Sequence, residues 1–352
     1  YPALRAEQAA KRADPNSPTL MGIGLVTFTE VVGAGPSKMC DILGVGMFDS
    51  CEIRIHPTGS AIARMGTITQ GQGHQTTYAQ IIATELGIPS EVIQVEEGDT
   101  STAPYGLGTY GSRSGAVGMS AISKALDKIE AKAKKVAGFV LETAPEDIEF
   151  KNGKFTVRGT DKEIDFASVA LQAYIAHKFN GQDLEPGLKE SAFWDPTNFT
   201  FPAGVHICEV EIDPATGVTR IDRWTAVDDF GNVINPMIVE GQVHGGITQG
   251  IGQALAEGAV YDKASGQLLT GSYMDYQMPR AADVPSYKLG FTCTPCPSNP
   301  LGMKGCGEAG AIASPAAVMN AVTDALGVVD VPMPATPLVV WNQLQHNKKA
   351  AE

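Results

Sequence analysis

Apolar positions cluster over 21–32 and 51–69 in short stretches rich in β-branched residues and broken by glycine and proline, which predicts strands. The spacing then changes to a helical step at 77–86, where Gly87 and Pro89 supply a stop. A strand is expected at 92–96. Further along, Ile122, Leu126, Ile129, Val136 and Val140 recur at three- and four-residue steps or their sums, with lysines between them, so a long amphipathic helix is expected. Residues 148–157 predict a hairpin about Asn152-Gly153, and 205–227 a second one turning at Asp213-Pro214-Ala215-Thr216-Gly217. A helix at about 166–177 precedes a polar, proline-containing connection. A glycine-rich helix entry follows at 240–256, then strands near 267–274, a proline-rich loop at 294–307, and a helix carried by Val318, Val322 and Leu326. Residues 1–20 look irregular and the tail from Val328 proline-rich. The fold class is α+β, mixed sheets with helices, and the connection within 159–200 suggests a division into 1–180 and 181–352.

The chain has 352 residues, 43% of them hydrophobic, enough for a substantial core. No run of 18 uncharged apolar residues occurs, so no membrane-spanning helix is expected. Tyr1-Pro2-Ala3-Leu4-Arg5 has neither an initiator Met nor an apolar leader core, which suggests a trimmed chain, a fragment or a segment of something longer. The formal net charge of -13 argues against nucleic acid as a partner. Six scattered histidines show no metal-ligand spacing, and Cys293-Thr-Pro-Cys296 has no second cysteine pair to complete a zinc site.

Four glycine-rich segments are expected just ahead of helices: Gln70-Gly71-Gln72-Gly73-His74, Gly106 to Ser114, Glu240 to Gly246, and Lys304 to Gly310. Glycine permits close backbone approach, and a helix N-terminus offers unpaired N–H groups, so such segments can cradle anions. None has the spacing of a P-loop or a dinucleotide fingerprint. Two carry a glutamine amide, which suits a heterocycle with a phosphate tail, whereas any one alone reads as an ordinary turn.

From about Gly22 to the tail the chain resembles the xanthine oxidase family of molybdenum hydroxylases, in particular the large subunits of the aerobic carbon monoxide dehydrogenase branch. The resemblance is carried by GQGHQTTYAQIIATELGIPSEVIQVEEGDTSTAPYGLGTYGSRS (71–114), LEPGL (184–188), VDDFGNVINPMIVEGQVHGGITQGIGQAL (227–255) and NPLGMKGCGEAGAIASPAAVMNAV (299–322). It implies a molybdopterin cytosine dinucleotide carrying molybdenum. Gly71, Gln72, Gly73 and His74 match the family's pterin-contacting loop. Gly111, Ser112 and Ser114 match the segment beside the metal and the cofactor phosphates, with the Gly111 backbone near molybdenum. Gln242 matches a pterin-bonding amide, and Gly305, Cys306 and Gly307 lead to Glu308, the family's catalytic glutamate, which lies near the metal without ligating it. Arg113 is either a cation facing the anionic cofactor or a surface ion-pair partner.

The implied chemistry puts water-derived oxygen on a small substrate, with Glu308 as base. A carboxylate serves at neutral pH if burial raises its proton affinity. Electrons would leave through Fe–S clusters and FAD on partner subunits, a small and a medium chain, in a cytoplasmic dimer of heteromers. The family's first half, including the cysteine loop that carries copper in some members, is not in this sequence, so an N-terminal half or equivalent chain is expected as partner. Copper stays open, as does the substrate: CO, an aldehyde or an N-heterocycle. A scaffold without catalysis is the remaining alternative, weakened by the presence of Gln72, Gln242 and Glu308 together.

Overall fold

The computed structural model describes residues 1–40, 44–176 and 184–351. Its chain begins with α1 (Pro2–Ala13) and β1 (Leu20–Thr29), followed by β2 (Asp49–Ile55) and β3 (Ala61–Met65). Next come α2 (His74–Leu86), β4 (Ile93–Glu96), a wide π-type turn (Ser114–Met119) and α3 (Ser120–Leu141). A small meander, β5 (Ile148–Lys151), β6 (Lys154–Val157) and β7 (Glu163–Asp165), leads into α4 (Phe166–Ile175). The second half holds β8 (Leu188–Trp194), β9 (Ala203–Ile212), β10 (Thr219–Asp229), α5 (Pro236–Leu255), β11 (Tyr287–Thr292), α6 (Ala309–Leu326) and α7 (Pro337–Ala351).

Two four-stranded sheets organise these elements. One has the order β4-β3-β2-β8, and its apolar face packs on α2, α3 and α4. Ile53, Ile55, Ala63, Ile122, Ile129 and Val169 are fully buried there. The other has the order β1-β9-β10-β11 and packs on α5 and α6, burying Val210, Trp224, Ile247, Val318 and Val322. Gly22 and Gly24 let β1 lie against α6, because a Cβ on either would come within 1.9 Å of an α6 carbonyl oxygen.

The expected boundary at 180/181 lies outside the described residues. The two cores interleave in sequence. Early strand β1 is a partner of late strand β9 (Val26 opposite His206), while β8 completes the early sheet beside β2.

Most strongly patterned elements sit where expected, including both hairpins; Asn152 and Gly153 take the left-handed φ values (50° and 74°) that the tight turn requires. Three expectations are corrected. Residues 1–20 contain a helix, α1, anchored by Arg5 and Gln8 on Asp324. Residues 267–274 form no strand, only an isolated bridge between Tyr261 and Leu268. The tail from Val328 holds α7, which buries Val340 and Leu344. No helix among the described residues is long and apolar enough to cross a membrane.

Candidate active site

The segment 106–114 leaves β-structure and enters the π-type turn ahead of α3. Gly108, Gly111 and Ser112 all take positive φ (81°, 53° and 48°), a costly backbone for the serine. What holds it there is Arg113. Its guanidinium is fully buried against the equally buried Asp49 and donates to the carbonyls of Ala34, Met47, Phe48 and Gly108. All five N–H donors are therefore occupied within the protein. This corrects both sequence expectations for Arg113. It lies neither on the surface nor among the residues that line the cavity; it pins the loop that carries Ser112 and Ser114.

Glu308 sits at the N-cap of α6, where the helix dipole favours negative charge. Its Oε2 accepts a hydrogen bond from Ser112 Oγ at 2.8 Å, and the same Oγ accepts from the Glu308 N–H at 3.2 Å. No described residue bonds its other oxygen. The burial invoked for this carboxylate does not come from this chain, because Glu308 is exposed. The loop ahead of it crosses close to the serine: a Cβ on Gly305 would come within 2.2 Å of Ser112 O, so only glycine fits. Gly307 stands where a Cβ would lie 3.4 Å from Ser112 Oγ and 3.9 Å from Gln242 Oε1, so three of the four glycine-rich segments meet at one point.

Around that point lies a cavity of about 330 Å³. Gln72, His74, Gly111, Ser112, Ser114, Gln242, Gly305, Cys306, Gly307 and Glu308 all line it, with Met119, Phe230, Ile234 and Val239 among its apolar walls. Gly71 and Gly73, which flank Gln72, take positive φ of 108° and 75°. The Gln72 amide bonds within its own loop, Oε1 accepting from Gln70 N and Nε2 donating to Gln70 Oε1 at 3.1 Å. His74 is buried, stacked on Tyr78, with Nδ1 3.4 Å from Glu97 Oε1. Ser114 Oγ pairs with Thr109 Oγ1 at 2.7 Å. Burial, reinforced by Glu30 and Asp228, pushes the Cys306 thiol up to about 12, so it is held as a thiol.

One segment differs in kind from its sequence expectation. Residues 240–246 do not precede a helix but lie inside α5, which starts at Pro236 with Asn235 as its cap (Oδ1 accepting from Ile238 N at 3.2 Å). Several glycines of α5 serve helix packing instead. A Cβ on Gly246 would meet the α6 backbone at 2.9 Å, and one on Gly250 would meet Ser314 Oγ at 1.8 Å. Gln242 reaches the cavity from the second turn of this helix.

Several contacts that hold the site together join positions far apart in the chain. Lys304 binds Asp229 at 2.8 Å; burial of Asp229 is outweighed by Lys304 and its other hydrogen bonds, leaving that carboxyl at about 2. Thr200 accepts from Gly305 N at 3.3 Å and bridges to Val32. Glu30 is buried near the Glu308 loop, and burial together with the Glu308 charge pushes its carboxyl up to about 7. Only the folded chain brings these positions together, so nothing short of strand pairing could have revealed them. Among the described residues no cluster of three or more His, Cys, Asp or Glu could hold a metal ion, the Cys293/Cys296 pair included.

Comparison with known proteins gives consistent results. Residues 1–285 match the family model described as the molybdopterin cofactor-binding domain. The carbon monoxide dehydrogenase large chain of Hydrogenophaga pseudoflava is 60% identical over 99% of this chain and 43% of its own length. Among solved structures, CO dehydrogenase from Oligotropha carboxidovorans superposes with a TM-score of 0.93 at 47% identity, over 99% of this chain and 44% of its own. Quinoline 2-oxidoreductase from Pseudomonas putida 86 does so with a TM-score of 0.88 at 39% identity, over 98% and 44%. The chain thus spans less than half the length of these relatives.

Proposed function

The chain belongs to the molybdopterin cofactor-binding domain family, and from that premise we propose that it is the cofactor-gripping portion of a CO dehydrogenase-like molybdenum enzyme in which Glu308 is the proton acceptor. The residues present suit such a group. The cavity offers amides and hydroxyls (Gln72, Gln242, Ser112, Ser114) in place of an acidic ligand cluster, so a metal would arrive already held by its own organic ligand. Gln242 and Gln72 would face the pterin edge, Ser114 the phosphate oxygens, and the Gly111 backbone the metal, while the one Ser112 hydroxyl proton stays with Glu308. When bound, the cofactor supplies two-electron redox chemistry with oxygen drawn from water.

The chain's own contribution is to hold and orient a base. Ser112 Oγ donates to Glu308 Oε2 and accepts from the Glu308 N–H, which fixes the carboxylate's position and leaves Oε1 to take a proton. The N-terminus of α6 favours the ionised form that a base requires. That Ser112–Glu308 hydrogen bond, joining two glycine loops at the cavity that also contains Gln72 and Gln242, is the observation on which the assignment stands.

The cytosine dinucleotide form, an N-terminal half or equivalent chain, and Fe–S and FAD subunits as electron acceptors belong to the same proposal. CO is the favoured substrate on the strength of the 60% identity; oxidation of an N-heterocycle is the second reading, favoured by the likeness to the quinoline enzyme. The test is Glu308→Gln in the assembled enzyme, assayed with CO and with quinoline. We expect turnover to fall by about 100-fold or more, the scale of a general base, while molybdenum and pterin content stay at wild-type level. Near-normal turnover would remove Glu308 from the chemistry, and absence of pterin from the wild-type complex would overturn the proposal as a whole.

A further inference from the structure

Residues 30–34 form a backboard behind both loops of the site. Glu30 N donates to Pro202 O at 3.0 Å, and Val32 pairs with Thr200 through N to O contacts of 3.0 and 2.8 Å. Thr200 Oγ1 in turn takes the Gly305 N–H, and Gly33 N donates to Gly111 O at 2.8 Å. The segment that starts at Glu30 is thus tied to the Glu308 loop on one side and to the Ser112 loop on the other.

Glu30 itself is 8% exposed, and its Oε2 is buried without a hydrogen-bond partner. The groups that act on it electrostatically are acidic or neutral: Glu308 and Cys306 on the loop before α6, and behind Cys306 the buried Asp228 of β10, itself 3.1 Å from His206 of β9. The cations of the two loops are already engaged, Lys304 with Asp229 and Arg113 with Asp49. A buried carboxylate with neither a donor nor a counter-charge keeps its proton.

We propose that Glu30 is a positioning residue for the base, a buried carboxyl that holds a proton beside Glu308 and thereby lets the pair carry a single negative charge, on Glu308. This rests on the proposed role of Glu308. Of the two carboxyls, Glu308 has the Ser112 hydroxyl and a helix N-terminus to stabilise its ionised form, whereas Glu30 has neither. The proton therefore belongs on Glu30, in line with its displacement to about 7. Once Glu30 ionises, a second negative charge behind Glu308 raises that base's own proton affinity, because like charges disfavour joint ionisation.

The test is pH-difference infrared spectroscopy on the assembled enzyme, following the C=O band of protonated carboxyls. Wild type should show a band titrating near pH 7 that Glu30→Gln removes. In Glu308→Gln the same band should titrate at lower pH, because the neighbouring charge is gone; this arm stands even if Glu30→Gln does not assemble. The turnover profile should carry an inflection near pH 7 in wild type that Glu30→Gln abolishes. If Glu30 titrates with ordinary exposed carboxylates, or if Glu308→Gln leaves the midpoint where it was, the proposal is overturned. Neither infrared outcome depends on turnover, so a failure of Glu308 as the base would show separately, as an active Glu308→Gln enzyme.

Discussion

Arg113 shows how a single side chain can serve a site without touching what the site binds. From its neighbours in sequence, between two serines of a glycine-rich loop, a cation facing phosphate was a reasonable expectation. The fold instead brings Asp49 and four backbone carbonyls from 34–48 and Gly108 around it, and these saturate the guanidinium. Lysine cannot replace it. Three donors on a point charge cannot satisfy a carboxylate and four carbonyls, and the planar fork is lost. Arg113→Lys is expected to cost on the order of 3 kcal/mol, the scale of breaking a buried ion pair. Urea denaturation would measure that loss, and pterin content should fall with it, because Ser112 and Ser114 lose their anchor. Full pterin content with unchanged stability would show that the loop is held some other way. The same contrast explains which site residues were legible in the sequence. Gln72, Ser112, Gln242 and Glu308 announce themselves through their glycine-rich surroundings. Glu30, Asp49 and Thr200 do not, because their importance comes from partners between 64 and 278 positions away, such as Asp49 with Arg113 and Glu30 with Glu308.

At the level of elements, periodicity served well wherever one face of a segment is buried. In α3, Ile122, Leu126, Ile129 and Val136 are all interior, and only Val140, in the last turn, stays 36% exposed. It served poorly for α1, whose place depends on polar anchors to Asp324, and for α7, which follows prolines that pointed to a loop. The most instructive departure is α5, where glycines suggested the approach to a helix but lie inside one packed tightly on α6. Two substitutions separate those meanings. At Gly250 a methyl group would strike Ser314 Oγ at 1.8 Å and Pro315 Cδ at 2.8 Å, so Gly250→Ala should push the helices apart and cost about 1–3 kcal/mol. Gly241 lies in the same helix, yet a Cβ there meets nothing within 4 Å. Gly241→Ala should therefore be neutral or gain up to about 1 kcal/mol of helix propensity. Urea midpoints for the two variants should move in opposite directions or, at the least, only that of Gly250→Ala should fall. Equal loss in both would mean that these glycines serve a backbone conformation rather than helix contact.

Across the whole molecule, the cavity is lined by loops and helices that belong to both sheet-and-helix cores. His74 and Ser114 reach it from α2 and from the turn before α3, elements of the β2–β3 core. Gln242 and Glu308 reach it from α5 and the cap of α6, elements of the β9–β10 core. A ligand in the cavity therefore touches both cores at once, and its binding energy joins them. Binding to the folded state alone adds about 2.7 kcal/mol for each hundredfold excess of free ligand over its dissociation constant. A tightly held pterin should thus contribute substantially to cohesion as well as to chemistry. Calorimetry of the assembled enzyme, prepared with cofactor and from a host unable to make molybdopterin, should show a higher melting temperature with cofactor. Limited proteolysis of the cofactor-free form should cut the loops around 70–74 and 304–308 first, because they lose contact across the cavity. If both preparations melt together and resist protease equally, then the two cores are joined by protein contacts alone, and the cavity is a site the cofactor occupies without holding the fold together.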